Sequence, residues 1–140
     1  MDGQNESWVF DIEQVLTEEQ ETILDSIISQ FEEETTNVIV IVTTADIGDH
    51  EKMVFYAVEF GERYGVGKTE KDNGLIIAFS ASLRETFIAT GLGTEKILTD
   101  PICKGIVEQE MVPEFKNGNY FKGIQNGLNE CIRIWKEKEN

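Results

Sequence analysis

The run Val38-Ile39-Val40-Ile41-Val42-Thr43-Thr44 constrains the fold more than any other stretch of the chain. Every residue in it is β-branched and nearly all are apolar, so the strand it forms needs cover on both faces. A strand that shows water neither face belongs inside a sheet with helices above and below. The expected class is therefore layered α/β.

The segments around this run have the spacing such layers require. Trp8 to Ile12 reads as a short extended segment closed by Asp11. Thr17 stands three residues before Gln20, the arrangement of a capping box, which predicts a first helix running to about Glu34. Its apolar residues Ile23, Leu24, Ile27, Ile28 and Phe31 recur on one stripe, and its acidic residues mostly lie elsewhere as a solvated face. After the central strand, Val54, Ala57, Val58, Gly61 and Tyr64 are the expected inner stripe of a second helix. Leu75 to Ser80, the turn Ala81-Ser82-Leu83, and Arg84 to Thr90 predict a hairpin. Gly91-Leu92-Gly93 then turns the chain sharply.

Thr99-Asp100-Pro101 predicts a third helix start, with Asp100 as N-cap and Pro101 at the first helical position. Ile102, Ile106, Val107 and Met111 face inward along it until Pro113 ends it. Tyr120, Phe121, Ile124, Leu128, Cys131, Ile132 and Trp135 form the stripe of a long final helix. No internal repeat or linker divides the chain, so residues 1–8 are expected to be a flexible tail and residues 9–140 a single domain.

Charge narrows the partners. Twelve basic against 27 acidic residues leave a formal charge of −15 in 140 residues, a field that repels nucleic-acid phosphates and attracts cations. No nucleic-acid partner is expected. Uninterrupted apolar runs such as Val38 to Val42 fall far short of the roughly 20 residues a membrane helix needs. The amino end, MDGQNES, has neither the basic start nor the apolar core of a secretory signal.

Three features have limited reach. Cys103 and Cys131 each fall on an apolar stripe, as buried thiols or as one disulfide; spacing does not decide, because the bond needs Cα atoms within about 7 Å. His50 is the lone histidine, so any metal site must be built from oxygen ligands, which suits calcium, magnesium or manganese rather than zinc. Gly65-Val66-Gly67-Lys68-Thr69 ends like a phosphate-binding loop, but Glu62 stands where that motif needs glycine. The segment also follows a helix and enters a strand, the reverse of the motif.

The candidate site centres on Lys68 to Pro101, where Asp72, Glu95 and Asp100 fall at loop positions. Loops at strand ends are where rigid scaffolds present chemistry. If these carboxylates and Asp11 gather at one end of the sheet, with Asn73 adding an oxygen, they can hold a hard divalent cation. Such a metal can polarise a phosphoryl oxygen and activate water while Arg84 clamps the anionic transition state, which is a phosphatase reading. Simpler roles stand beside it: Asp72-Asn73-Gly74 as a tight bend, Asp100 as a helix cap, Arg84 as an exposed strand charge. No covalent route is legible, since neither cysteine precedes an arginine at phosphatase-loop spacing and Asp46-Ile47-Gly48-Asp49 lacks Asp-x-Asp. The rival reading is a binding module that docks onto a partner.

In order and spacing the chain resembles the TPM domain, a family named after a plant thylakoid-lumen photosystem repair protein and its relatives. The resemblance rests on Val9-Phe10-Asp11 before Leu16-Thr17-Glu18-Glu19, the strand VIVIVTT, Lys71-Asp72-Asn73-Gly74, and Arg84 after the hairpin turn. It continues through Gly91-Leu92-Gly93-Thr94-Glu95 to Leu98-Thr99-Asp100, and Pro113-Glu114-Phe115 to Asn117-Gly118-Asn119-Tyr120. It implies a Rossmann-like α/β/α sandwich with a small mixed sheet flanked by helices. It also implies a divalent-cation-binding module for assembly or repair of a membrane-associated complex, or a metal-dependent acid phosphatase, placed outside the cytoplasm behind a signal peptide and often beside a membrane anchor. Neither segment is read here, so a cytoplasmic place stays open. Two turns depart from the family pattern: Ala81-Ser82-Leu83 stands where aspartates are common, and Asn119 where an aspartate is usual.

Overall fold

The computed structural model describes residues 7–64, 66 and 72–139. The phosphate-loop comparison at Gly65 to Thr69, except Val66, lies outside the described residues, as do Lys71 and residues 1–6 of the expected tail.

Strand β2 (Val38–Thr43) is paired on both sides. It lies parallel to β1 (Val9–Asp11) and to β3 (Gly74–Ser80), and β4 (Glu85–Thr90) closes the sheet antiparallel to β3, giving the order β1-β2-β3-β4. The pleat turns Ile39 and Ile41 to one face and Val40 and Val42 to the other, and all four are buried. This double burial is what the β-branched run demands.

On the first face, Ile39, Ile41, Leu75, Ile77 and Phe79 pack against α1 (Glu18–Thr35) and against the carboxyl-terminal helices. Those helices are α3 (Asp100–Ile106), a π-helical turn at Val107–Met111, α4 (Val112–Lys116) and α5 (Tyr120–Glu139). On the second face Val40, Val42, Ile76 and Ala78 pack under α2 (Met53–Tyr64). The result is the Rossmann-like α/β/α sandwich with a mixed sheet. The steps β1-α1-β2 and β2-α2-β3 run the same way across the sheet, yet α1 and α2 cover opposite faces, so the two crossovers have opposite hands. One of them is therefore of the rare left-handed kind.

Local chemistry explains the element ends. The Thr17 hydroxyl accepts from the Gln20 amide at 3.1 Å while the Gln20 side chain accepts from the Thr17 amide at 2.9 Å, so the capping box is formed. In α2 the buried stripe is Met53, Ala57 and Phe60, whereas Val58 and Tyr64 are 48% and 55% exposed, a correction to the expected stripe. Phe60 anchors this face against β1, its ring meeting Phe10 edge-on with centroids 5.2 Å apart, and Tyr64 one turn on covers it at 4.5 Å.

Two expectations around α3 also change. Thr99 is the N-cap residue and Asp100 the first helical one, with no side-chain cap bond. Pro113 does not end the helical path. A proline in a helix interior clashes with the carbonyl four residues back; the wider π turn just before it lets the chain pass into α4. Met111, at the end of that turn, is buried against Gly127, where an added Cβ would lie 2.4 Å from its sulfur. Cys103 and Cys131 are both buried free thiols. Burial and the neighbouring Asp100 carboxylate push the Cys103 thiol up to about 11, and burial also raises Cys131.

Candidate functional site

At the carboxyl ends of the parallel strands the register sets Asp11 opposite Thr43, and Thr43 opposite Phe79. The Asp11 carboxylate accepts from the Thr43 hydroxyl at 2.7 Å and from the amides of Val15 and Leu16 at 3.1 and 2.9 Å. It thereby ties β1 to β2 and shapes the path into α1. Glu13 reaches across to the turn after β3, where its carboxylate accepts from the Ala81 amide at 2.8 Å, the Ser82 amide at 2.9 Å and the Ser82 hydroxyl at 2.8 Å. Inside the turn the Ser80 hydroxyl accepts from the Leu83 amide at 3.0 Å. Arg84 leaves the turn with φ +56°, a left-handed conformation, and its side chain is exposed.

Beside this turn lies a cleft of about 420 Å³ between the β3–β4 hairpin and the α4–α5 junction. Phe79, Phe115 and Tyr120 form an aromatic wall, with Phe79 centred 4.4 Å from Phe115 and 5.4 Å from Tyr120. Ser80, Thr86 and Tyr120 contribute hydroxyls, while among the described residues Arg84 and Lys116 are the only charged ones that line it. In a chain of charge −15 this concavity sets two cations against no lining carboxylate among the described residues. Such a site suits an anionic group carried on an apolar or aromatic body.

The structure does not bring the five expected cation ligands together. Asp72 and Asn73 enter β3 from its amino end, the end opposite Asp11 and Arg84, about 20 Å away along the strand. Asp72 has φ +48°, and its carbonyl accepts from the Gly93 amide at 3.1 Å and the Thr94 hydroxyl at 3.4 Å. Gly91 lies so close to that carbonyl that an added Cβ would sit 2.5 Å from its oxygen. Asn73 is buried and donates to the Thr36 carbonyl at 2.8 Å and the Asn37 side chain at 3.1 Å. Glu95 is exposed in the turn after Gly91, and Asp100 is exposed in the first turn of α3. Among the described residues no three His, Cys, Asp or Glu side chains form a group suited to a metal ion. The five donors therefore do not share one site: Asp72, Asn73 and Glu95 lie at the amino end of β3 and Asp11 at the other end of the sheet. His50 faces Glu59, its Nε2 3.0 Å from the carboxylate.

Glu13 and Lys116 have no signal in the sequence that marks them. Glu13 bonds to a segment distant along the chain, 69 residues away at Ser82, and Lys116 meets Arg84 only as two linings of one cleft. Phe115 and Tyr120 stand within the Pro113 to Tyr120 segment, and Tyr120 also falls on the α5 stripe, so neither is marked as a site residue.

The order of elements and the two loop-bearing sheet ends agree with a family comparison: the TPM domain profile matches residues 9–134. The chain belongs to the TPM domain family. Solved structures share the fold of this TPM domain. The N-terminal domain of a P. gingivalis protein is 24% identical, with a TM-score of 0.87 over 97% of this chain and 86% of that one. The BA42 protein of the psychrophilic bacterium Bizionia argentinensis is 21% identical, with a TM-score of 0.75 over 90% of this chain and 85% of that one. The N-terminal domain of cg2496 from Corynebacterium glutamicum is 15% identical, with a TM-score of 0.70 over 94% and 81% of the two chains. Among curated proteins none matches the chain. No helix among the described residues is long and apolar enough to cross a membrane.

Proposed function

We propose that this TPM domain is a docking module serving assembly or repair of a membrane-associated complex, and that it holds its partner by an anionic group in the Arg84–Lys116 cleft. One observation carries the reading: among the described residues this cleft is lined by two cations and no carboxylate, on a molecule whose charge is otherwise strongly negative. Docking is favoured over hydrolysis because Asp11 and Glu13, the carboxylates at the ends of the parallel strands, are engaged in holding turns. The cation drops out of the proposal because its expected ligands sit at two ends of the sheet. A phosphatase is the second reading, favoured by the arginine, lysine and hydroxyls that line one cleft.

Phenyl phosphate and phenylacetate separate these readings when titrated into the protein and followed by amide NMR. Docking predicts that both shift the amides of Arg84, Phe115, Lys116 and Tyr120. Arg84→Gln or Lys116→Gln should weaken binding about tenfold, in line with the loss of a charge-assisted hydrogen bond. Phenyl phosphate should survive prolonged incubation with calcium, magnesium or manganese. Release of phosphate that Arg84→Gln abolishes would establish the hydrolase instead, and silence at all four amides would remove the cleft from the function.

A further inference from the structure

We infer that the outer edge of β4 is a second docking site, which takes an extended segment of another protein, apolar and basic in alternation, as an added strand. The inference starts from the ladder. The Gly91 amide donates to the Gly74 carbonyl at 3.0 Å, which makes Gly91 and Gly74 a hydrogen-bonded pair of the antiparallel ladder. Pairs of this kind alternate with pairs that turn their polar groups away. Ala89, Phe87 and Glu85 therefore bond to β3, and Thr86, Ile88 and Thr90 point their N–H and C=O groups outward. The β2 side agrees, since the Thr44 amide donates to the carbonyl of Phe79, the residue opposite Thr86. No hydrogen bond among the described residues reaches those outward groups. The Ile88 side chain is buried in the core, and the residue lines the groove that runs beside the strand, so its outward N–H and C=O face that groove.

Natural sheets protect such edges by shortness, by lysine or proline on the strand, or by a bulge. The other edge, β1, has only three residues. β4 has six, Glu-Thr-Phe-Ile-Ala-Thr, without lysine, arginine, proline or glycine, and six consecutive pairs with β3 leave no bulge. Alongside it runs a groove of about 450 Å³ whose far wall is α3 and the π turn. An edge strand facing a helix across a groove is the geometry in which peptides add as strands.

Charge selects the occupant. Asp100 and Glu108 line the helical wall with Lys104 between them, and the chain as a whole carries −15. A basic segment is attracted there, while a second copy of this chain would bring its own β4, Asp100 and Glu108 into opposition. The site is distinct from the Arg84–Lys116 cleft, although Thr86 borders both.

Hydrogen exchange by NMR tests this directly. In the free protein the Thr86, Ile88 and Thr90 amides should exchange at least tenfold faster than those of Phe87 and Ala89. The probe is an eight-residue capped peptide alternating valine and lysine, and it should slow the first three amides at least tenfold. The same peptide with N-methyl groups on alternate residues of its bonding edge should bind at least tenfold more weakly. The exposed double variant Asp100→Lys, Glu108→Lys should weaken the unmodified peptide to a similar extent while keeping the fold's amide spectrum. Equal binding of the methylated peptide, protection arising elsewhere, or no protection at millimolar peptide would each overturn the proposal. Dimerisation of the protein through β4, seen by sedimentation, would replace the foreign segment with a second copy.

Discussion

The Glu13 carboxylate gathers two main-chain amides and a hydroxyl from the turn that leads to Arg84. The physical consequence is that the position of the cleft's arginine depends on a residue outside the cleft. Removing the carboxylate leaves the part-buried Ala81 amide without its partner and returns the two exposed Ser82 donors to water, a loss of about 1–3 kcal/mol. Glu13→Ala is therefore expected to lower stability in urea by that amount and to weaken phenyl phosphate binding as the turn loosens. Unchanged affinity in the variant would show that Arg84 is held by something else. Little of this was legible in the sequence, because hydrogen bonds across 69 residues leave no local pattern. Asp72 and Asp11 were legible as loop carboxylates. That they occupy opposite ends of the sheet follows from the pairing of β3 with β2, which local residue patterns do not specify.

At the scale of elements, α5 approaches the π turn and α4 closely because two of its positions have no side chain. A Cβ added at Gly123 would lie 2.4 Å from the Phe115 ring and 3.0 Å from the Met111 carbonyl. Alanine would gain about 1 kcal/mol over glycine in a free helix. Here overpacking against a ring and a backbone oxygen costs about 1–3 kcal/mol, so the clash is expected to win. Gly123→Ala should thus be neutral to destabilising by up to about 2 kcal/mol in equilibrium unfolding, and by displacing Phe115 it should also disturb the aromatic wall of the cleft. A stabilised variant would mean that α4 yields freely. Elements whose cause is local were readable in advance: the capping box at Thr17, the doubly buried β2, the hairpin. The turn around Pro113 was not, because a proline there is compatible both with a helix end and with a widened turn, and it is the burial of Met111 under α5 that accompanies the second.

For the whole molecule the charge of −15 sets the solution behaviour. Glu21 shows its local effect: burial, then the carboxylates of Asp11, Asp25 and Glu18, raise its carboxyl above the usual glutamate range. A folded-state value above the unfolded one favours the fold when the group is protonated, so its contribution is present below the unfolded value and lost as pH rises through the folded one. Glu34, held low by Lys136, and Glu130, held low by Arg133, act the other way and lose their contribution as pH falls through their depressed values. These opposed windows place the best stability on the mildly acidic side of neutrality. Self-repulsion points in the same direction, since it eases as the pH approaches the isoelectric point of ≈ 4.3. The melting temperature at low ionic strength is expected to rise from pH 7 to about pH 5.5 and to fall again at more acid pH. At pH 7, salt that shortens the screening length from about 30 Å to about 10 Å should raise it as well, by damping repulsion among exposed carboxylates. Calorimetric melts across pH and salt measure both slopes. A melting temperature insensitive to salt at pH 7 would mean that the acidic surface is already compensated, and charge would then no longer argue against a second copy at the β4 edge.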